Sequence, residues 1–277
     1  MSSKRRLMAV LAHPDDESLG VGGTLAKYAS EGVDVCLVTA TRGDAGRFRG
    51  CRSGEAGHPG PAAVGNIREG ELRAAAAVLG IREVSVLGHR DQQLDRVDPP
   101  AVVGQIVTVV RRFRPDVVIT FGPDGAYGHP DHIAISQFTT TAMVAAADTS
   151  FLANGAAPLG PPHSVSKLYY LAWPKSTWAA YQSALRTLSA TVDGVERQAT
   201  PWPDWAITTA IDTSDLWSTV WRAVSCHESQ LASYERLKDL APEYHRMLWG
   251  SQSFYRVFST VNGGRTRETD LFEGIDR

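Results

Sequence analysis

The chain has 277 residues, 43% of them hydrophobic, and a formal net charge of −2. That is enough apolar material for one large domain or two modest ones. The near-neutral balance, with no long run of one sign, excludes nucleic acid as the main partner, because phosphate backbones are held by clustered Lys and Arg.

The N-terminal KRR followed by LMAVLA imitates a secretion signal, but six apolar residues running into charge are too few. No segment approaches the roughly 18 apolar residues of a membrane span. Cys36, Cys51 and Cys226 stand far apart with no CxxC spacing, which fits a reducing compartment. The expectation is a cytoplasmic protein with no membrane contact; the oligomeric state is left open.

In chain order, strands are expected at residues 6–12, 33–40, 83–87 and 116–121, each nearly all apolar. Amphipathic helices are expected at 19–30, 66–79 and 100–113, and another after Pro130. Strands alternating with helices imply right-handed βαβ units, hence an α/β fold: a Rossmann-like, mostly parallel sheet flanked by helices. Residues 42–65 and 149–166 read as long loops rich in Gly and Pro. KLYYLAW then reads as a strand, STWAAYQSALRTL as a helix, AITTAID as a strand, and 214–249 as a long helical region interrupted at Pro242. SFYRVFSTV reads as a closing strand and the charged tail after Gly263 as loose. The expectation is one domain over 1–277, with a core at 5–148 and a C-terminal α/β elaboration at 167–262.

Two motifs carry chemistry. AHPDDE (12–17) follows the first strand, and GHPDH (128–132) follows the strand DVVITF. In a parallel sheet, ligands sit beyond the carboxyl ends of the strands, and both motifs lie there. His13 and Asp16 are three apart, as are His129 and His132, so each pair can face one side near a helix start. Two imidazoles and a carboxylate with an open fourth position make a catalytic zinc site. The expected ligands are His13, Asp16 and His132, and Fe²⁺ suits the same donors. A cation there explains why three adjacent acids are kept together, since it makes crowded carboxylates favourable. Asp15 is left as general base. His129 is expected to steady an oxyanion as a cation, with Asp131 orienting its ring and Tyr127 adding a hydrogen bond. Asp44 and Asp91, at the ends of the second and third strands, are candidates to line the pocket, although turns commonly carry Asp.

The paired motifs resemble the LmbE or PIG-L superfamily of zinc-dependent N-deacetylases. The resemblance runs from residue 6 to about residue 145 and includes TATRGDAG and the IREGEL helix. It thins in the C-terminal half, where SCHESQ (225–230) is similar to a family pattern. It implies metal ligands at His13, Asp16 and His132, a base at Asp15, an oxyanion histidine at His129, and Tyr127 beside them. The arginine of the family's R-x-x-E-L helix falls on Arg68, implying contact with sugar hydroxyls; a solvated ion-pair face with Glu69, Glu71 and Arg73 is the plain alternative. Arg47, Arg49 and Arg52 depart from the family's usually acidic loop. His227, in SCHESQ, is read as a buried, hydrogen-bonded histidine.

The expected function is removal of an N-acyl group, most simply N-acetyl, from a small amino sugar or glycoside. An amidase or deacylase of a larger conjugate remains open. So does a non-catalytic sugar- or nucleotide-binding module, although Gly20–Gly23 lacks the GxGxxG spacing of a nucleotide fingerprint.

Overall fold

The computed structural model describes residues 4–151, 160–185, 189–192, 194–198, 200–233, 235–264 and 266–276. The first half alternates as the apolar runs require: β1 (Arg6–Leu11), α1 (Asp16–Ser30), β2 (Asp34–Thr41), α2 (Pro61–Leu79), β3 (Glu83–His89), α3 (Pro99–Phe113) and β4 (Val117–Phe121). A single turn, α4 (Gly125–Gly128), then leads into α5 (Pro130–Ala147). Next come β5 (Lys167–Leu171), α6 (Lys175–Leu185) and a hairpin of β6 (Ser189–Val192) and β7 (Val195–Gln198). The chain closes with β8 (Thr209–Asp212), α7 (Trp217–Cys226), α8 (Glu235–Lys238), α9 (Pro242–Trp249) and β9 (Ser251–Ser259).

Seven strands form one sheet in the order β3-β2-β1-β4-β5-β9-β8. The first five are parallel, while β9 and β8 add antiparallel at one edge. From Leu7 to Leu11, β1 is fully buried because helices cover both faces of the sheet. The chain leaves β1 toward β2 on one side, and β4 lies on the other, so the β1/β4 boundary is the topological switch point. In open sheets of this kind ligands bind there, beyond the carboxyl ends of the strands. Both sequence motifs sit there.

Three expectations change. The helical region 214–249 is broken into α7, α8 and α9. The break begins at His227, which turns inward at the end of α7, and Pro242 opens α9 because its missing N–H is no loss at a helix start. The tail after Gly263 is anchored: Leu271, Phe272 and Ile275 are buried, and Tyr28 accepts the Leu271 N–H at 2.8 Å. Glu268 enters the core to meet Lys167 at 2.8 Å. The β6–β7 hairpin has no counterpart in the expected elements, and it packs over α4. Residues 186–188 of the expected helix and 152–159 of the 149–166 loop lie outside the described residues.

Candidate active site

At the end of β1 the chain turns through His13, Pro14 and Asp15 into α1. Asp16, the first helical residue, folds back so that its Oδ2 accepts the backbone N–H groups of Ala12 at 3.2 Å and His13 at 2.7 Å. Asp15 adopts the left-handed region at φ 102°, a conformation that costs a non-glycine residue about 1–3 kcal/mol. Such strain persists only where neighbours over-determine it. Here Asp15 N donates to Glu17 Oε2 at 3.0 Å, Asp15 O accepts from Ser18 and Leu19, and Arg68 reaches Asp15 Oδ2 at 3.1 Å.

From the neighbouring strand end, α5 starts with His129 as its N-cap; His129 Nδ1 accepts the Asp131 N–H at 3.2 Å. One turn on, His132 Nε2 stands 3.1 Å from His13 Nδ1 and 3.4 Å from Asp16 Oδ1. Asp16 Oδ2 is 3.7 Å from His13 Nδ1. The His132 ring stacks on Phe121 at 3.9 Å, which fixes its plane.

The outer faces of both imidazoles are committed. His13 Nε2 lies 3.0 Å from Asp91 Oδ1 and 3.1 Å from Asp131 Oδ2. His132 Nδ1 lies 3.2 Å from the Gly125 carbonyl. These acceptors draw ring protons outward, so that with a cation bound His13 Nδ1 and His132 Nε2 can both present lone pairs to one point beside Asp16. Donors at about 2.0–2.1 Å from a tetrahedral zinc stand about 3.3 Å apart, close to the three separations found here. The residues fit a divalent cation. Ligand-type atoms of His13, His129 and His132, and of His13, Asp91 and Asp131, also cluster within 4.8 Å of one another. His13 Nε2 is already held by Asp91 and Asp131, and His129 Nδ1 by the Asp131 N–H, so His13, Asp16 and His132 make the better-fitting candidate set.

Burial and charge set the protonation around this point. Burial pulls His13 down, yet the Asp91 charge and the hydrogen bonds it donates to Asp131 and Asp91 raise it well above the usual histidine value. Burial raises the Asp16 carboxyl to about 7 against the opposing pull of His13. Burial together with the His13 charge lowers His129 to about 4. Asp91, despite burial, is carried down to about 2 by the His13 charge.

The profile of the PIG-L family, described as GlcNAc-PI de-N-acetylase, matches residues 8–143, the segment that carries both motifs. A 1D-myo-inositol 2-acetamido-2-deoxy-alpha-D-glucopyranoside deacetylase of Rhodococcus jostii is 34% identical to the chain, over 99% of each sequence. The chain belongs to the PIG-L family. A deacetylase of the same description from Kineococcus radiotolerans is also 34% identical, over 99% of this chain and 84% of the relative. N,N'-diacetylchitobiose deacetylase from Pyrococcus horikoshii shares the fold at a TM-score of 0.65, covering 91% of this chain and 84% of its own, with 19% identity.

Within this PIG-L site four expected roles shift. The Asp131 carboxylate does not face His129; it holds His13, and is itself fixed by the Gln92 and Leu94 N–H groups at 2.7 and 3.0 Å. Asp91 likewise faces His13, with its other oxygen on the Ala45 N–H, and Asp44 Oδ1 accepts the Asp91 N–H at 3.2 Å. Asp91 and Asp131 both hold His13 instead of lining a pocket. Arg68, 4% exposed, donates to the Gly43 and Pro14 carbonyls and to Asp15, so its guanidinium ties two loops together and stands on the expected base. His129 has its Nδ1 filled by the Asp131 N–H, which makes it a neutral donor through Nε2 instead of a cation. The Tyr127 ring lies 6.0 Å from His129 and 5.2 Å from His132.

Two features went unread in the sequence. Arg197, on β7, lies against Gly128: a Cβ on that glycine would stand 3.3 Å from Arg197 Cβ, and the arginine charge is felt at His129. Glu17 and His227 form a fully buried pair at 2.8 Å directly behind Asp15. Arg197 has no local sequence signal, since only the hairpin's docking brings it in. Glu17 was visible as the last acid of AHPDDE, but its partner is 210 residues away.

Proposed function

We propose that the chain is a metal-dependent N-deacetylase acting on an N-acetylated amino-sugar glycoside, with an aminosugar-inositol as the first candidate. The observation that carries this is the convergence of His13 Nδ1, His132 Nε2 and Asp16 on one point, with Asp15 and His129 flanking it. The substrate class is extended from relatives that are 34% identical over nearly the whole chain.

His13, Asp16 and His132 would hold the ion, zinc or ferrous iron. When bound, it supplies Lewis acidity to an amide carbonyl and lowers the pKa of water. Asp15, locked by Arg68 and by its strained backbone, takes the proton of the attacking water and passes it to the leaving amine. His129, presenting Nε2–H, and Tyr127 donate to the oxygen that gains charge as water adds. Burial, then the Asp16, Asp15 and Asp91 charges, raise the Tyr127 hydroxyl well above its usual value, so it keeps its proton. Asp91 and Asp131 hold His13 in the ligating tautomer. Arg197, at the hairpin side of the mouth, contacts substrate hydroxyls.

Among the described residues no helix is long and apolar enough to cross a membrane, and all three cysteines are free, in keeping with a cytoplasmic place. The test is acetate release from N-acetylglucosaminyl-inositol by zinc-loaded and by iron-loaded protein, beside a series of longer N-acyl groups. Release from the acetyl compound confirms the proposal. Turnover only of longer acyl groups, or no turnover at all, refutes it.

A further inference from the structure

We propose that Glu17, held in place by His227, is a positioning residue that sets the orientation of Asp15; the inference rests on the deacetylase reading above for Asp15's role, though not for its geometry.

Glu17 is 0% exposed in the first turn of α1, beside two other acids. A carboxylate buried there needs every lone pair used. Its oxygens divide the work. Oε1 accepts from His227 Nε2 at 2.8 Å and from Ser18 Oγ, while Oε2 accepts the Asp15 backbone N–H at 3.0 Å. With one oxygen clamped, the other cannot swing, so the acceptor under Asp15 N is fixed in space. That bond lies on the residue whose φ is 102°, and it helps to hold the turn from which the Asp15 side chain projects toward Arg68.

His227 is itself fully buried, and its Nδ1 is left without a hydrogen-bond partner. A pair selected for stability alone is readily replaced by apolar side chains of similar volume. A buried ion-type pair with one orphaned nitrogen, next to the strained Asp15 backbone, asks for a reason beyond packing, and support of that turn supplies one. The same turn after α7 is anchored independently: Ser229 donates to Glu71 through N and Oγ, both at 2.7 Å, and Gln230 holds the Arg47 carbonyl at 2.7 Å. His227 therefore presents a fixed donor. The C-terminal segment thus reaches back into the N-terminal motif through one residue.

The test compares Glu17→Ala, Glu17→Gln and His227→Ala, each in the wild-type and in the Asp15→Asn background. Displacing a catalytic group by about 1 Å costs about 100-fold, so Glu17→Ala should lower kcat by about that factor with KM within about twofold. Glu17→Gln, which keeps an oxygen for the Asp15 N–H, should recover to within about tenfold of wild type. Where Asp15 is already Asn, Glu17→Ala and His227→Ala should each change the residual rate by less than about twofold. An equal loss in both backgrounds overturns the proposal, because a merely structural role is indifferent to Asp15. Crystal structures of Glu17→Ala and of His227→Ala decide the geometry without any substrate: Asp15 leaving its left-handed conformation is expected, and Asp15 unmoved overturns it. A wild type that releases no acetate strikes the deacetylase reading, and the crystal structures then judge Glu17 by themselves.

Discussion

His13 Nε2 stands 3.0 Å from Asp91 Oδ1, with Asp131 Oδ2 at 3.1 Å on the same nitrogen. Two carboxylates on one imidazole edge leave the opposite nitrogen as a strong, fixed donor. Asp91→Asn and Asp131→Asn should each weaken zinc affinity by about 10–100-fold, measured by competition with a chelator. Unchanged affinity in both would show that these acids do not tune His13.

Removing the ion should abolish acetate release, and returning zinc or ferrous iron should restore it. His132→Ala takes away a proposed ligand whose ring is already oriented by Phe121 and the Gly125 carbonyl. The variant should purify with little metal by elemental analysis while keeping a wild-type circular dichroism spectrum.

In the proposed mechanism Asp15 moves the proton without being a ligand. Asp15→Ala should lower kcat by about 100- to 10,000-fold while metal content stays at the wild-type level. Full activity in this variant would remove Asp15 as base.

Arg197 packs against Gly128, brought there by the β6–β7 hairpin, with its charge felt at His129. A charge-assisted hydrogen bond is worth about 1.5 kcal/mol or more, so Arg197→Ala should raise KM by about tenfold with little change in kcat. Steady-state kinetics on the glycoside check it.

Glu268 gathers Lys167, Arg256, Tyr169, Thr209 and Asn262 around one carboxylate at the root of the tail. Burial raises its carboxyl, but these hydrogen bonds carry it down to about 2 from an ordinary 4.5. A folded-state value below the unfolded one gives stability that is present above 4.5 and lost as pH falls toward 2. Urea unfolding across that window should show the loss in the wild type and a flatter profile in Glu268→Gln. The same variant leaves Lys167 buried beside a neutral partner, for an expected cost of about 3–5 kcal/mol at neutral pH.

Much of the scaffold was legible in the amino-acid sequence because local rules govern it. Short apolar runs bounded by turn residues read as strands covered by helices, and their alternation with amphipathic helices implies parallel βαβ units. Those rules also place HPDDE and GHPDH at adjoining strand ends, so the meeting of His13, Asp16 and His132 was readable from spacing and topology together. Where the remaining side chains point was not readable, because that depends on contacts between residues far apart in the chain. Asp91 and Asp131 turn to His13, Arg68 to Asp15, and His227 crosses 210 residues to Glu17. The tail was misread for the same reason: its charges look solvated until Lys167 and Arg256, drawn from two strands, are packed around Glu268. Periodicity and turn chemistry act over a few residues, whereas a buried charge finds its partner only when the whole core has closed around it.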